Sequence, residues 1–128
     1  MPTIKTVYPS ANPTLPLSPL TRIGDTLYTA GQVGVDPETR AIPDGARAQT
    51  RQVLLNLRAV LAMAGADLSD VVKTTVFLTD MADFAEFNEA YREFFPVDPP
   101  SRSTVGVAAL ARPELIVEIE AIAVVPEL

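Results

Sequence analysis

The 128-residue sequence contains no cysteine, no histidine and no tryptophan. Without cysteine, the chain can form no disulfide, thiolate nucleophile, zinc–thiolate site or iron–sulfur cluster. Without histidine, it has no imidazole base and no Ser–His or Cys–His pair. Any catalysis must therefore use carboxylates, arginine, lysine, tyrosine, hydroxyls, amides or backbone groups.

Positively charged residues are also few: the chain has 10 Lys and Arg residues and 16 Asp and Glu residues, so its net charge at pH 7 is −6. Nucleic-acid binding needs a basic surface, so we expect no nucleic-acid partner. No apolar run approaches the ~20 residues of a membrane helix, and the first residues lack the apolar core of a signal peptide. We expect no membrane contact, a cytoplasmic location and one domain spanning residues 1–128.

Hydrophobic periodicity predicts seven elements in the order β, β, α, β, α, β, β. The predicted strands span residues 3–8, 26–35, 71–78, 103–107 and 115–125. The predicted helices span residues 46–64, before Gly65, and the segment from its N-cap Asp80 to Pro96. The proline-rich stretch before the turn at Gly24-Asp25 predicts an ordered surface loop, with disorder as the alternative.

Helices alternate with strands only in the middle of the chain, which predicts an α+β fold with both helices on one face of a mixed sheet. Both sides of the last predicted strand are substantially apolar, as in strands that are buried on both faces. Two helices can cover only one face, so the other face would be a large exposed apolar patch. We therefore expect a closed homo-oligomer in which the uncovered sheet faces pack together.

Arg102 lies between Pro99-Pro100 and a predicted strand, so the backbone that carries its guanidinium is rigid. A fixed guanidinium fits a carboxylate through two parallel hydrogen bonds, which makes Arg102 a candidate carboxylate-binding residue. The alternative is an ordinary surface arginine at the start of a strand.

Glu118 and Glu120 interrupt the last strand on one side. Two carboxylates in an otherwise apolar strand are costly unless they are paired, hydrated or functional. The functional hypothesis is a general base or acid, or a residue that holds an attacking water. The alternatives are exposure to water near the start of the strand, or an ion pair with an arginine.

Three further residues are candidates for ligand contacts. Asn88 lies within the aromatic stripe of the second helix, where its amide can bind a ligand or satisfy neighbouring backbone groups. Strand alternation places Thr104 on the same side as Arg102, although a threonine there is also an ordinary strand former. Gly31 indicates close backbone approach, because the spacing and lysine of a phosphate loop are absent.

Several segments together are similar to the RidA/YjgF family of small trimeric imine deaminases, in order and spacing over nearly the whole chain. The most specific are Pro100-Ser101-Arg102-Ser103-Thr104-Val105 and Val117-Glu118-Ile119-Glu120-Ala121-Ile122-Ala123, and the others span residues 29–32, 48–52, 71–77 and 87–91. The resemblance implies a chorismate-mutase-like α+β fold, a homotrimer, and ligand sites in clefts between subunits.

The resemblance also implies an activity, the hydrolysis of 2-imino and enamine acids such as 2-aminoacrylate to 2-oxo acids and ammonia. It implies that Arg102 clamps the substrate carboxylate, that Glu118 positions the attacking water, and that Asn88 and Gly31 line the pocket. A bound carboxylate and an oriented water supply much of what an electrophilic imine needs, so no metal or organic cofactor is expected.

Three positions that correspond to pocket residues of the family carry other side chains here. Leu20, in Ser18-Pro19-Leu20, stands where deaminase members typically have the tyrosine of Gly-Pro-Tyr. Ala30 stands where a serine is often found, and Thr104 stands where many members have cysteine. The alternative functions are a non-catalytic sensor or carrier of small 2-oxo or amino acids and, against the acidic composition, an RNA-cleaving protein.

Overall fold

The computed structural model describes residues 4–126, which form two helices and a mixed sheet. The strands are β1 (Thr6–Tyr8), β2 (Leu20–Ile23), β3 (Thr26–Thr29), β4 (Gln32–Val33), β5 (Val71–Leu78), β6 (Ser101–Gly106) and β7 (Val117–Val124), and the helices are α1 (Ala46–Ala62) and α2 (Phe84–Phe94). The sheet order is β1-β2-β3-β7-β5-β6, and β4 pairs with the edge of β7 that β3 also uses. Within residues 4–126, β5 and β6 form the parallel pair and the other pairs are antiparallel, which confirms the predicted α+β class.

Both helices pack on one face of the sheet, as predicted, and we call this the covered face. Val53 and Leu57 of α1 and Phe87 of α2 have no exposed area. They form one hydrophobic core with alternate residues of the central strand β7, namely Val117, Ile119, Ala121 and Ala123. Removing this apolar surface from water stabilises the fold by about 25 cal/mol per Å².

Two amide side chains of α1 fix the segments that lead to the middle of the sheet. Gln49 donates through Nε2 to the Glu114 carbonyl at 2.8 Å, and its Oε1 accepts from the Ile116 amide at 2.9 Å. Asn56 donates to the Val33 carbonyl at 2.9 Å and also to the carbonyl of residue 35. These bonds tie α1 to the two segments and set the positions of β4 and of the start of β7.

The opposite face of the sheet, which we call the open face, carries no helix of residues 4–126. Tyr28 is 45% exposed there, and Val105 and Val124 are each 42% exposed. Phe77 and Ile122, on the same face, are half-buried. The sequence prediction that the last strand has a second apolar side is therefore confirmed, and an exposed apolar face of this kind is typical of an interface.

Several boundaries near the amino terminus differ from the prediction. Of the strand predicted at 3–8, Thr3 lies outside the described residues and the strand itself is Thr6–Tyr8. The loop prediction was wrong for Leu20–Ile23, which pairs with β3 across the turn at Gly24 and so forms a hairpin. The strand predicted at 26–35 is divided into β3 and β4, because the chain leaves the β7 ladder between them.

The second helix also begins later than predicted. Asp80 caps a 3₁₀ turn, Met81–Asp83, by accepting a 2.9 Å hydrogen bond from the Ala82 amide, and α2 starts at Phe84. Among residues 4–126, no helix combines the length and the hydropathy that crossing a membrane requires.

Candidate active site

Arg102 lies on the edge strand β6 and faces the covered side of the sheet. Its register partner on β5 is Thr74, which has no exposed area. The guanidinium carbon lies 4.8 Å from the ring centroid of Tyr91, 5.2 Å from that of Phe87 and 5.7 Å from that of Phe84. Attraction to the ring faces holds the guanidinium in place, and such contacts contribute about 0.5–2 kcal/mol each.

No carboxylate of residues 4–126 forms an ion pair with Arg102. Its side chain is only partly exposed, since the three α2 rings cover one side of it. A guanidinium that is held in place but not neutralised keeps its donors available for an anion. This environment favours the carboxylate-binding hypothesis over an ordinary surface arginine.

A pocket of about 410 Å³ opens beside Arg102. It brings Arg102 together with Asn88, as the resemblance implies, and the rigid Pro99-Pro100 segment forms part of its wall. The remaining lining residues were not predicted as site residues; they are Tyr91, Arg92 and Phe95. The sequence signal for Tyr91 is the aromatic stripe of α2, which predicts core packing and therefore conceals its contact with the pocket.

The Tyr91 hydroxyl is engaged beneath the pocket and is no candidate for proton transfer. It shares a buried 2.7 Å hydrogen bond with the Thr74 hydroxyl. Burial raises the pKa of Tyr91, against the smaller lowering effects of the Thr74 hydrogen bond and the Arg102 charge. Tyr91 is therefore a neutral ring and hydrogen-bonding group that supports Arg102.

Glu118 lies on the open face, where its register partner on β5 is Phe77. Burial raises the pKa of this carboxyl, and the negative charge of Glu120 raises it further. Neither glutamate forms an ion pair within residues 4–126, and Glu120 is exposed whereas Glu118 is half-buried. Of the two glutamates, Glu118 therefore has the environment of a candidate base.

Gly31 packs directly against this carboxyl. A Cβ atom at Gly31 would lie 2.8 Å from Cδ of Glu118 and closer still to Oε2, so no other residue type fits without displacing the glutamate. The neighbouring Ala30 is half-buried, and its amide donates to the Pro19 carbonyl at 2.9 Å. The structure thus brings Gly31, Ala30 and Glu118 together, in the gap between β3 and β4.

Two other predicted positions lie on the covered side. Thr104 pairs with Val76 on β5, which confirms that it shares the face of Arg102, but it does not line the 410 Å³ pocket. Leu20 has no exposed area and belongs to the core of the subunit, so it does not line the 410 Å³ pocket either. Leu17 follows Pro16 as Leu20 follows Pro19, and Leu17 is 51% exposed, so it is the accessible one of these two leucines.

One subunit therefore presents two separate groups of candidate residues. Arg102 and Asn88 lie in a pocket on the covered side, whereas Glu118 and Gly31 lie on the open side. Among residues 4–126, no cluster of three or more acidic side chains could hold a metal ion. The chemistry available is carboxylate binding at the first group and proton acceptance at the second.

Known proteins are similar to this chain in sequence and in fold. The family model described as Endoribonuclease L-PSP matches residues 9–125. The 2-iminobutanoate/2-iminopropanoate deaminase of Mus musculus is 46% identical over 110 residues, which cover 85% of this chain and 81% of the mouse protein.

Two crystal structures are also similar, both at 41% sequence identity. RidA from an Antarctic Psychrobacter bacterium has a TM-score of 0.83, covering 91% of this chain and 93% of its own. E. coli TdcF with bound serine has a TM-score of 0.81, covering 85% of this chain and 87% of its own. The chain therefore belongs to the RidA/YjgF family, the group that this family model and these relatives define.

Proposed function

We propose that the protein hydrolyses 2-imino and enamine acids, such as 2-iminopropanoate (the imine form of 2-aminoacrylate) and 2-iminobutanoate, to 2-oxo acids and ammonia. The observation that carries the proposal is the half-buried, unneutralised Arg102 in a pocket with Asn88. The name of the mouse relative describes this activity, and the bound serine of TdcF is a small molecule with a carboxylate.

The proposed mechanism uses the two groups of residues in sequence. Arg102 binds the substrate carboxylate, and Asn88 offers an amide that can donate to or accept from the substrate. Glu118 accepts a proton from a water as that water adds to the imine carbon, and its raised pKa makes it a stronger base than an ordinary carboxylate. The proton then passes to the nitrogen to give a carbinolamine. Glu118 next takes the proton of the new hydroxyl and passes it to the amino group, so that the C–N bond breaks as the C=O bond forms and ammonia leaves the 2-oxo acid. No metal or organic cofactor takes part in this mechanism.

We further propose that the active site is shared between copies of the chain in a homotrimer. Arg102 and Glu118 point to opposite sides of one sheet, so one subunit does not place both against a small molecule. The exposed apolar side chains of the open face, such as Tyr28 and Val124, supply the surface that a second copy would cover. If the open face of one copy covers the β6 edge of the next, Glu118 of the first copy is brought toward the Arg102 pocket of its neighbour, because Arg102 lies on that edge strand.

The activity is tested by generating the imines in situ and measuring ammonia and 2-oxo acid above the uncatalysed rate. We expect Arg102→Gln to lower kcat/KM by about 100-fold or more, because the substrate loses its anchor. Arg51→Gln is the matched control, since Arg51 is exposed and paired with Glu93 at 2.7 Å. A wild-type rate equal to the uncatalysed rate would refute the proposal, and binding of a 2-oxo acid without turnover would select a sensor or carrier instead.

The shared site is tested by complementation between two inactive variants. Arg102→Gln and Glu118→Gln are each expected to be inactive, but an equimolar population of the two in which subunits mix at random should regain about one quarter of its sites. Activity that stays at background after verified subunit exchange would show that both residues act within one subunit.

RNA cleavage, which the name of the family model describes, is not favoured by the charges. Arg47 and Arg51 on α1 are paired with Glu89 and Glu93 on α2, and the net charge is −6. A surface neutralised in this way offers little attraction to phosphates.

A further inference from the structure

A second arginine, Arg92, lines the Arg102 pocket. It lies in the last turn of α2, one residue after Tyr91, and its side chain is exposed. The pocket is therefore bounded by one guanidinium from α2 and another from β6, with the Asn88 amide also in its wall. No acidic side chain of residues 4–126 lines this pocket.

At least half of the eight arginines of the chain are paired with acidic residues, whereas neither arginine of this pocket is paired within residues 4–126. Four arginines are paired with acidic residues, namely Arg47 with Glu89, Arg51 with Glu93, Arg58 with Asp67 and Arg112 with Glu114. Arg92 and Arg102 form no ion pair within residues 4–126, although the chain has an excess of acidic residues. The pocket thus carries two uncompensated positive charges in a protein of net charge −6.

A short monocarboxylate has a partner for only one of these charges. We propose that the pocket prefers dicarboxylic 2-oxo and 2-imino acids, with Arg102 binding the carboxylate next to the reacting carbon and Arg92 binding the distal carboxylate. This inference rests on the proposed role of Arg102, but it concerns substrate class rather than activity. The pocket volume of about 410 Å³ lies within the range of small-molecule sites, so there is room for the longer ligand.

A purely structural role for Arg92 makes a different prediction. A cation in the last turn of a helix interacts favourably with the helix dipole, so Arg92 could serve only to stabilise α2. Such a role would change stability without discriminating between ligands. The ratio of two ligand affinities therefore separates the two roles.

The test is calorimetric binding of 2-oxoglutarate and of 2-oxopentanoate, which has the same carbon chain without the distal carboxylate. We expect the wild type to bind 2-oxoglutarate about tenfold more tightly, as one partly exposed charge-assisted contact allows. Arg92→Gln should bring this ratio close to one, and high salt should reduce it in the wild type. Arg40→Gln is the control, because Arg40 also forms no ion pair within residues 4–126 but lines a different cavity; it should keep the tenfold ratio.

The outcomes distinguish the inference from the proposed function. If 2-oxopentanoate binds and 2-oxoglutarate binds no more tightly, the dicarboxylate preference is refuted while the carboxylate site stands. A tenfold preference that survives Arg92→Gln would refute the role of Arg92. If neither acid binds to the wild type, the carboxylate site of the proposed function is refuted and the preference with it.

Discussion

The covered and open faces of the sheet differ in how their polar side chains are satisfied. On the covered face, Thr74 and Tyr91 are hydrogen-bonded to each other, and among residues 4–126 no buried side-chain polar atom lacks a partner. On the open face, Glu118 and Glu120 are two residues apart without ion pairs, and the pKa of Glu118 is raised. Fully satisfied polar groups stabilise a fold, whereas a partly desolvated carboxylate beside a like charge is destabilised and reactive. The hydrogen-bonded groups that stabilise the fold therefore lie on one face of the sheet, and the proposed proton acceptor, Glu118, lies on the other.

The largest expected effect comes from placing a charge on the open face. Val124→Asp would bury a carboxylate against another copy of the chain if the open face is the trimer interface. We expect sedimentation to show monomers at micromolar concentration, and we expect ammonia release to be lost. Leu55→Asp is the matched control, because Leu55 is 47% exposed but lies on α1. A trimeric, active Val124→Asp variant would contradict the proposed use of this face.

The next largest effect is expected at Gly31. Gly31→Ala would push the Glu118 carboxyl from its position, and we expect kcat to fall about 100-fold with the fold retained. Gly24→Ala is the contrasting variant, since a Cβ there meets no atom within 4 Å but the backbone has φ +58°. It should cost about 1 kcal/mol of folding free energy and leave kcat unchanged. Equal activities of the two variants would mean that the Glu118 position does not matter.

A smaller effect is expected on the covered face. Tyr91→Phe removes the 2.7 Å bond to Thr74 and leaves a buried hydroxyl unsatisfied, while the ring beneath Arg102 remains. We expect the free energy of unfolding in urea to fall by about 1–2 kcal/mol. The double variant Tyr91→Phe/Thr74→Val should recover part of this loss, because both polar partners are then absent. A single variant as stable as the wild type would show that the hydrogen bond contributes nothing.

The smallest effect is a shift in pH dependence. The Glu120 charge raises the pKa of Glu118, so Glu120→Gln lowers that pKa. Since the ionised form of Glu118 is the base, the acid limb of the kcat/KM profile should move to lower pH, by a fraction of a unit because the pair is partly exposed to water. Glu114→Gln, which removes a carboxylate paired with Arg112, should leave the limb in place. A limb that moves to higher pH in Glu120→Gln would contradict the assignment of Glu118.

Long periodic segments were predictable from the sequence, and short ones were not. The apolar stripe of α1 and the β-branched run of β5 each carry enough residues to reveal their period. Strand β2 has four residues directly after a proline, and it is a strand because β3 pairs with it. The local signal for this pairing is the two-residue step Gly24-Asp25 between two four-residue runs, which is typical of a tight hairpin turn. The sequence interpretation uses it only as a turn, because the prolines before Leu20 favour a loop.

The sequence indicates several candidate residues for the site, but it does not indicate how they are arranged. Alternation along β7 separates Glu118 from the buried side of that strand, and the prolines before Arg102 indicate a fixed mount. The face of Arg102, however, depends on the register of β6 against β5, which pairs it with Thr74. The burial of Leu20 likewise depends on the unpredicted hairpin, which turns that side chain into the core.

The opposed orientations of Arg102 and Glu118 limit which length changes this chain can tolerate. Inserting one residue inside β7 would turn Glu118 toward the helices and expose Val117, because each step along a strand reverses the face. An insertion in residues 108–111, ahead of the segment that Gln49 holds, would be absorbed by the connection between β6 and β7 without inverting either strand. We therefore expect variants that differ in length in that connection to fold, whereas a change of length inside either strand would not be tolerated.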